Sequence, residues 1–168
     1  MKKFAVQVIA LLTITTGALY FYNPAGGNRN ISFLPFAPKQ AFVRQLEING
    51  KKIKVEIADT KEKRNKGLGG KDNMGDEEGM LFIFPETKKH TFWMKGLKFP
   101  LDFVWIRGNK VVDIILNAPV PKEGQTDEQL PIFMPSTEID QVLELKAGSV
   151  EKFAIKLGDT FTLKDIPK

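Results

Sequence analysis

The stretch GMLFIFPETKKHTFWMKGLKFPLDFVWIRGNKVVDIIL, residues 79–116, decides the fold. It holds four apolar runs, 79–84, 90–94, 101–106 and 111–116, rich in Phe, Trp, Ile and Val. Branched and aromatic side chains pack well on a pleated surface, so these runs read as strands. They are near-continuous rather than alternating, which implies burial on both faces or a place in a barrel. Gly108-Asn109 supplies a turn between the last two.

The flanks agree with this reading. Residues 42–48 and 52–58 are alternating or β-branched runs around Asn49-Gly50, a strong short-range hairpin signal. Asp59-Thr60-Lys61-Glu62 comes next, with Asp59 as the expected cap and Glu62 as its capping-box partner. A short helix is expected over 60–68, ended by Gly69-Gly70. Its basic face (Lys61, Lys63, Arg64, Lys66) reads as solvated surface. Residues 117–141 form a long Pro-rich connection, a kind of loop that tends to be functional or mobile. A strand at 142–146, a helix at 150–156 capped by Ser149, a turn at Gly158-Asp159 and a strand at 160–163 complete the chain. The expected class is α+β: a curved, mainly antiparallel sheet able to close into a small barrel, with two short helices.

Ahead of this domain, residues 4–22 (FAVQVIALLTITTGALYFY) carry no charge and come after Lys2 and Lys3. Nineteen residues at ~1.5 Å rise span about 28 Å, close to a bilayer's hydrocarbon thickness. The two lysines favour a cytoplasmic N-terminus, which puts the rest of the chain outside. A small-residue site exists at Thr16-Gly17-Ala18, but the apolar run continues past it. An uncleaved hydrophobic helix acting as a membrane anchor is therefore favoured over a cleaved signal, which would release the domain. Residues 23–41, with three prolines and two glycines, read as a flexible linker. The organisation expected is anchor 1–22, linker 23–41 and domain 42–168.

Composition narrows the chemistry. The chain has 168 residues, a net charge of +5 and no cysteine, which excludes disulfides, thiol catalysis, thiolate metal sites and a lipidated N-terminal cysteine. The single histidine, His90, argues against the common metal clusters. The positive charge is dispersed, so no nucleic-acid partner is expected.

The string VEIADTKEKRNKGLGG (55–70), the core GMLFIFPETKKHTFWMKGLKFPLDFVWI (79–106), and then NAPVP (117–121), VLELKAG (142–148) and IKLGD (155–159) resemble the domain of unknown function 192 family. The likeness covers about residues 42–165. It implies a small, mainly β, α+β domain, often behind an export signal, and no established activity. Two departures stand out. The helix ends in Gly67-Leu68-Gly69 where the family pattern has a Gly-Leu-Met type sequence, and Phe133 stands where a Tyr is usual.

The densest cluster of candidate chemistry is His90-Thr91-Phe92-Trp93-Met94 with Pro100-Leu101-Asp102. A carboxylate at the edge of an apolar cluster must find donors or raise its pKa. Asp102 is thus either a structural acceptor of backbone or indole N–H groups or the polar anchor of an aromatic pocket. Trp93 is either core or a stacking surface for a sugar ring. Trp105 is expected in the core. The ligand-binding residues expected are Trp93, Met94, Asp102, Pro119, Phe133 and Glu144, with the 117–141 loop as a gate. No metal and no cofactor are expected.

Weaker patterns are a His90–Asp102–Ser136 triad without a G-x-S-x-G elbow and an acidic group at Asp72, Asp76, Glu77 and Glu78. Glu78 and Glu138 are further carboxylates that would have to converge on the site, and Met74, Met80, Met94 and Met134 are scattered thioethers. Three functions remain open. The first is an extracytoplasmic module binding a small polar ligand, a glycan or another envelope component. The second is a hydrolase of an envelope polymer, with Asp102 and Glu144 as acid and base. The third is an interaction or assembly factor at the membrane surface.

Overall fold

The computed structural model describes residues 43–165, and the 4–22 run and the 23–41 linker lie outside the described residues. Among the described residues no helix is long and apolar enough to cross a membrane.

Among the described residues seven strands make one sheet: β1 (Val43–Ile48), β2 (Lys51–Ala58), β3 (Glu78–Lys88), β5 (Leu101–Arg107), β6 (Lys110–Ala118), β8 (Ile139–Lys146) and β9 (Phe161–Asp165). Their order is β6-β5-β8-β3-β2-β1-β9. Two more strands, β4 (Phe92–Trp93) and β7 (Ile132–Phe133), pair with each other as a separate ribbon. Every pairing is antiparallel except β2 with β3. A parallel pair needs a crossover, and helix α1 (Lys61–Lys66) lies in that connection. The sheet curls like a half-barrel, and its two edge strands meet at one bridge, Lys110 to Thr160. The architecture is thus β-rich, as expected, with two short helices.

Local chemistry explains most boundaries. Asn49 and Gly50 both take positive φ (50° and 71°), which a tight two-residue hairpin demands. In β3 the register against β8 shifts between Ile83 and Lys88, across Pro85, which has no N–H for the ladder. The cap of α1 is Thr60 rather than Asp59. Thr60 Oγ1 accepts from Lys63 N at 3.3 Å, while the Asp59 carboxylate holds the Lys63 ammonium at 2.6 Å. The second helix is a single turn, α2 (Ser149–Lys152), shorter than the 150–156 expected.

The expected strand 90–94 is the other difference. Only Phe92 and Trp93 pair, and they pair with β7 rather than the main sheet. The 117–141 connection therefore carries structure of its own: a 3₁₀ turn at Asp127–Gln129 and then β7. An ion pair between Lys95 and Asp127 ties it to the chain beyond β4.

The sheet is buried on both sides. Leu46, Ile53, Leu81, Val104 and Leu143 belong to one apolar cluster, with Val150, Phe153 and Ile155 from around α2. Met80, Phe82, Phe103, Trp105 and Val142 belong to a second on the opposite face, under the β4–β7 ribbon. Strands β3, β5 and β8 contribute to both clusters, which is why their sequences run apolar without alternation. Close packing between β3 and β8 leaves no room at Gly79. A Cβ there would stand 2.9 Å from the Glu144 carbonyl oxygen and 2.9 Å from a Leu145 methyl.

Candidate functional site

A cleft of about 780 Å³ opens beside the second cluster. One wall is the end of α1 and the glycine-rich turn after it, from Arg64 to Gly70. The other is the segment from His90 to Leu97, including Phe92, Trp93 and Lys95. Phe82 and Phe84 of β3 join the walls, and Glu144 of β8 lies deepest among the polar lining residues. The volume falls in the usual range for small-molecule sites. The two walls touch through their backbones, Gly70 N donating to Gly96 O at 3.1 Å.

Glu144 is the distinctive group. It is only 5% exposed. Its neighbours across the ladder are Met80 on β3 and Phe103 on β5, neither of which offers a charge or a donor. Burial alone pushes its carboxyl up to about 8. Near neutral pH it is therefore a neutral acid, able both to donate and to accept a hydrogen bond. An unpartnered polar group lies on the same face. The indole Nε1–H of Trp105 is buried and has no partner. Trp105 pairs with Val142, which makes Glu144 its diagonal neighbour in the ladder.

The mouth is basic. The Arg64 guanidinium donates to the carbonyls of Asp59 and Ile83, both at 2.8 Å, and lies 5.3 Å from the Phe84 ring centre. His90 stacks on Phe84 at 3.6 Å, with its Nε2 3.0 Å from Glu86 O. Lys95 Nζ sits 5.3 Å from the Trp93 ring centre. Lys66, at the end of α1, is exposed. Behind these residues Phe92 packs edge-on against Phe82, Phe103 and Trp105 at 5.1–5.8 Å.

The sequence-derived site divides. Trp93 lines the cleft and is 49% exposed; Glu144 lines it from within. Met94 is fully buried core beneath it. Phe133 is half-buried against Phe103 at 5.4 Å, so the ring supports the cleft's aromatic layer from behind. Pro119 is exposed and is not part of the lining. Asp102 leaves the pocket altogether. It points to the opposite face of the sheet, where Oδ1 accepts from Asn117 N at 2.9 Å and Oδ2 from Val150 N at 3.1 Å. These are backbone donors of the kind the structural reading of Asp102 calls for.

The weaker patterns do not assemble. With Asp102 on the far face, no triad forms with His90 and Ser136. Three of the four acidic residues are spent on lysines: Asp72 pairs with Lys98, Asp76 with Lys146 and Lys152, and Glu78 with Lys54. Among the described residues no group of three His, Asp or Glu is placed to hold a metal ion. Met74, Met80 and Met94 are buried in one apolar cluster, while Met134 is exposed. Reading the α1 basic face as plain solvated surface missed Arg64 and Lys66. The signal available was the glycine-rich turn directly behind them, which brings backbone close to backbone.

Comparison with known proteins agrees with this architecture. Two of the solved structures that match illustrate it. One is a Sinorhizobium meliloti protein described as a suggested transcription regulator, with 28% identity and a TM-score of 0.65, the match covering 73% of this chain and 95% of that one. The other is a Novosphingobium aromaticivorans protein of unknown function, with 25% identity and a TM-score of 0.65, covering 82% of this chain and 99% of that one. Among curated proteins none matches the chain. The family model for domain of unknown function 192, described as uncharacterized ACR, matches residues 44–163, and the chain belongs to that family.

Proposed function

We propose that this domain is a small-molecule binding module working outside the cytoplasm, with the Glu144 cleft as its site. The observation that carries the reading is a buried carboxyl, flanked in the ladder by Met80 and Phe103, that lines a cavity of ligand size. A buried polar group that no neighbour satisfies costs stability, and a ligand that satisfies it recovers that cost. Among the described residues Glu144 is the one carboxylate lining the cleft. Paired acid–base hydrolysis needs two, so binding is favoured over the hydrolase reading.

The location rests on the sequence. Residues 4–22 have the length and apolarity of a membrane anchor, and Lys2 and Lys3 favour export of the domain behind it. Retention of the full-length chain in the membrane fraction, with the domain open to externally added protease, supports this. A soluble domain recovered inside the cell refutes it.

A screen of the full chain by thermal shift, run beside Glu144→Leu, tests the binding reading. Ligands that stabilise the native protein and not the variant support it. Ligands that act equally on both, or none at all, refute it. One observation favours a protein contact instead. Trp93 and Ile132, paired across the β4–β7 ribbon, are 49% and 70% exposed, an apolar surface just outside the cleft.

A further inference from the structure

We infer, building on the binding reading above, that the cleft takes a small organic anion with a planar apolar body, its charge at the basic mouth and a neutral polar group inside. Three independent features define the three parts of such a ligand.

The charge is set by the mouth. Arg64, Lys66 and Lys95 all line it, Lys95 being ion-paired with Asp127, so the charge rests mainly on Arg64 and Lys66. Arg64 is held in place by two backbone carbonyls, which fix its position without cancelling its charge. Cations already lie by the aromatic faces a cationic ligand would use: Arg64 by Phe84 and Lys95 by Trp93. An ammonium ligand would meet like charge at every approach, whereas an anion is drawn in.

The body is set by the walls. Phe82, Phe92 and Trp93 present aromatic surface to a cavity too large for an inorganic ion alone. The inner end is set by Glu144, whose ladder neighbours Met80 and Phe103 leave its carboxyl to the cavity. Held neutral by burial, it pairs with a hydroxyl, carbonyl or amide rather than with a second charge.

This arrangement carries its own pH response. The other titratable or charged groups at the cleft are Arg64 and Lys66 from the α1 side and His90 and Lys95 from the β4 side, with Asp127 paired to Lys95. Met80 and Phe103, on the flanking strands, do not titrate. Ionisation of Glu144 above about pH 8 places a negative charge beside the ligand, so anion affinity falls as pH rises through that range.

Calorimetric titration of the full chain tests the inference, using carboxylates, amides and amines built on the same bodies, from propionyl to hydroxybenzoyl and naphthoyl. The expected result is binding of the hydroxyaromatic carboxylate at least about tenfold tighter than its amide or amine. Lys66→Met and Lys95→Met each weaken it several-fold and flatten its salt dependence. Glu144→Gln, whatever affinity it retains, binds equally at pH 6.5 and pH 9, whereas the parent weakens between them. Preference for the amine or the amide overturns the anion inference and leaves the binding reading standing. Binding of none of the three classes overturns both.

Discussion

Asp102 and Glu144 lie on paired strands one step out of register, Asp102 opposite Leu145 and Glu144 opposite Phe103, and their carboxyls leave opposite faces of the sheet. One residue of offset is enough, because successive side chains on a strand alternate. The two acids therefore meet different fates. Asp102 receives two backbone N–H groups, while Glu144 faces the cleft.

Asp102 is a staple between the end of β6 and the start of α2. An amide in its place cannot accept at both positions, and one buried N–H loses its partner. Asp102→Asn is expected to cost about 1–3 kcal/mol in urea unfolding and to leave ligand affinity in the cleft unchanged. Loss of binding without loss of stability contradicts this assignment.

Glu144 makes stability depend on pH in the direction opposite to a paired carboxylate. Its folded pKa, about 8, lies above the ordinary 4.5. Below 4.5 both folded and unfolded chains hold the proton, and nothing is lost. Between 4.5 and 8 only the folded chain holds it, so stability falls as pH rises, levelling off above 8. The loss at pH 7 is on the order of 3 kcal/mol. Glu144→Gln removes this slope and raises stability at pH 7 relative to the parent. Denaturant midpoints at pH 5, 7 and 9 measure it; parallel curves for the two proteins contradict it.

Trp105 keeps its indole N–H buried without a partner. Trp105→Phe loses contacts but also removes that unpaired donor. The two effects partly offset, so the cost is expected near 1–2 kcal/mol, less than the ~3–5 kcal/mol of emptying an aromatic core site. Calorimetric unfolding of the variant checks the value.

Gly79 is required by the closeness of β3 and β8. The atom an added Cβ meets is the Glu144 carbonyl, which belongs to the ladder and has little freedom to move. Gly79→Ala should cost about 1–3 kcal/mol, despite the better strand propensity of alanine. It should also speed amide exchange along β8, as hydrogen-exchange rates of that strand can show.

Much of the fold is legible because its signals are local. The Asn49-Gly50 hairpin, the central apolar strands and the short helix all come from residues close in sequence, although the helix stops at Gly67 rather than at the expected Gly69-Gly70. The β4 segment misleads because His90–Met94 has strand composition, whereas its pairing depends on Ile132 and Phe133, some forty residues away. The cleft is half legible. Trp93 and Glu144 stand out by type, but whether a carboxylate in a strand meets backbone donors or a cavity depends on tertiary neighbours. Asp102 draws attention for the same reason and belongs to the other face. Arg64 and Lys66 look like any solvated helix face, because only the returning 90–97 segment turns that face into a wall.

The bridge between Lys110 and Thr160 has a consequence for solubility. Sheets with bare edges invite pairing between molecules, and this curled sheet brings its own two edges together. Phe161 N donates to Asn109 O and Val111 N to Asp159 O, so the final strand acts as a latch on the first residues of β6. Removing residues 159–165 would unfasten both rims at once. It would bare β1 along its whole length and turn a self-contained domain into a template for strand exchange and aggregation.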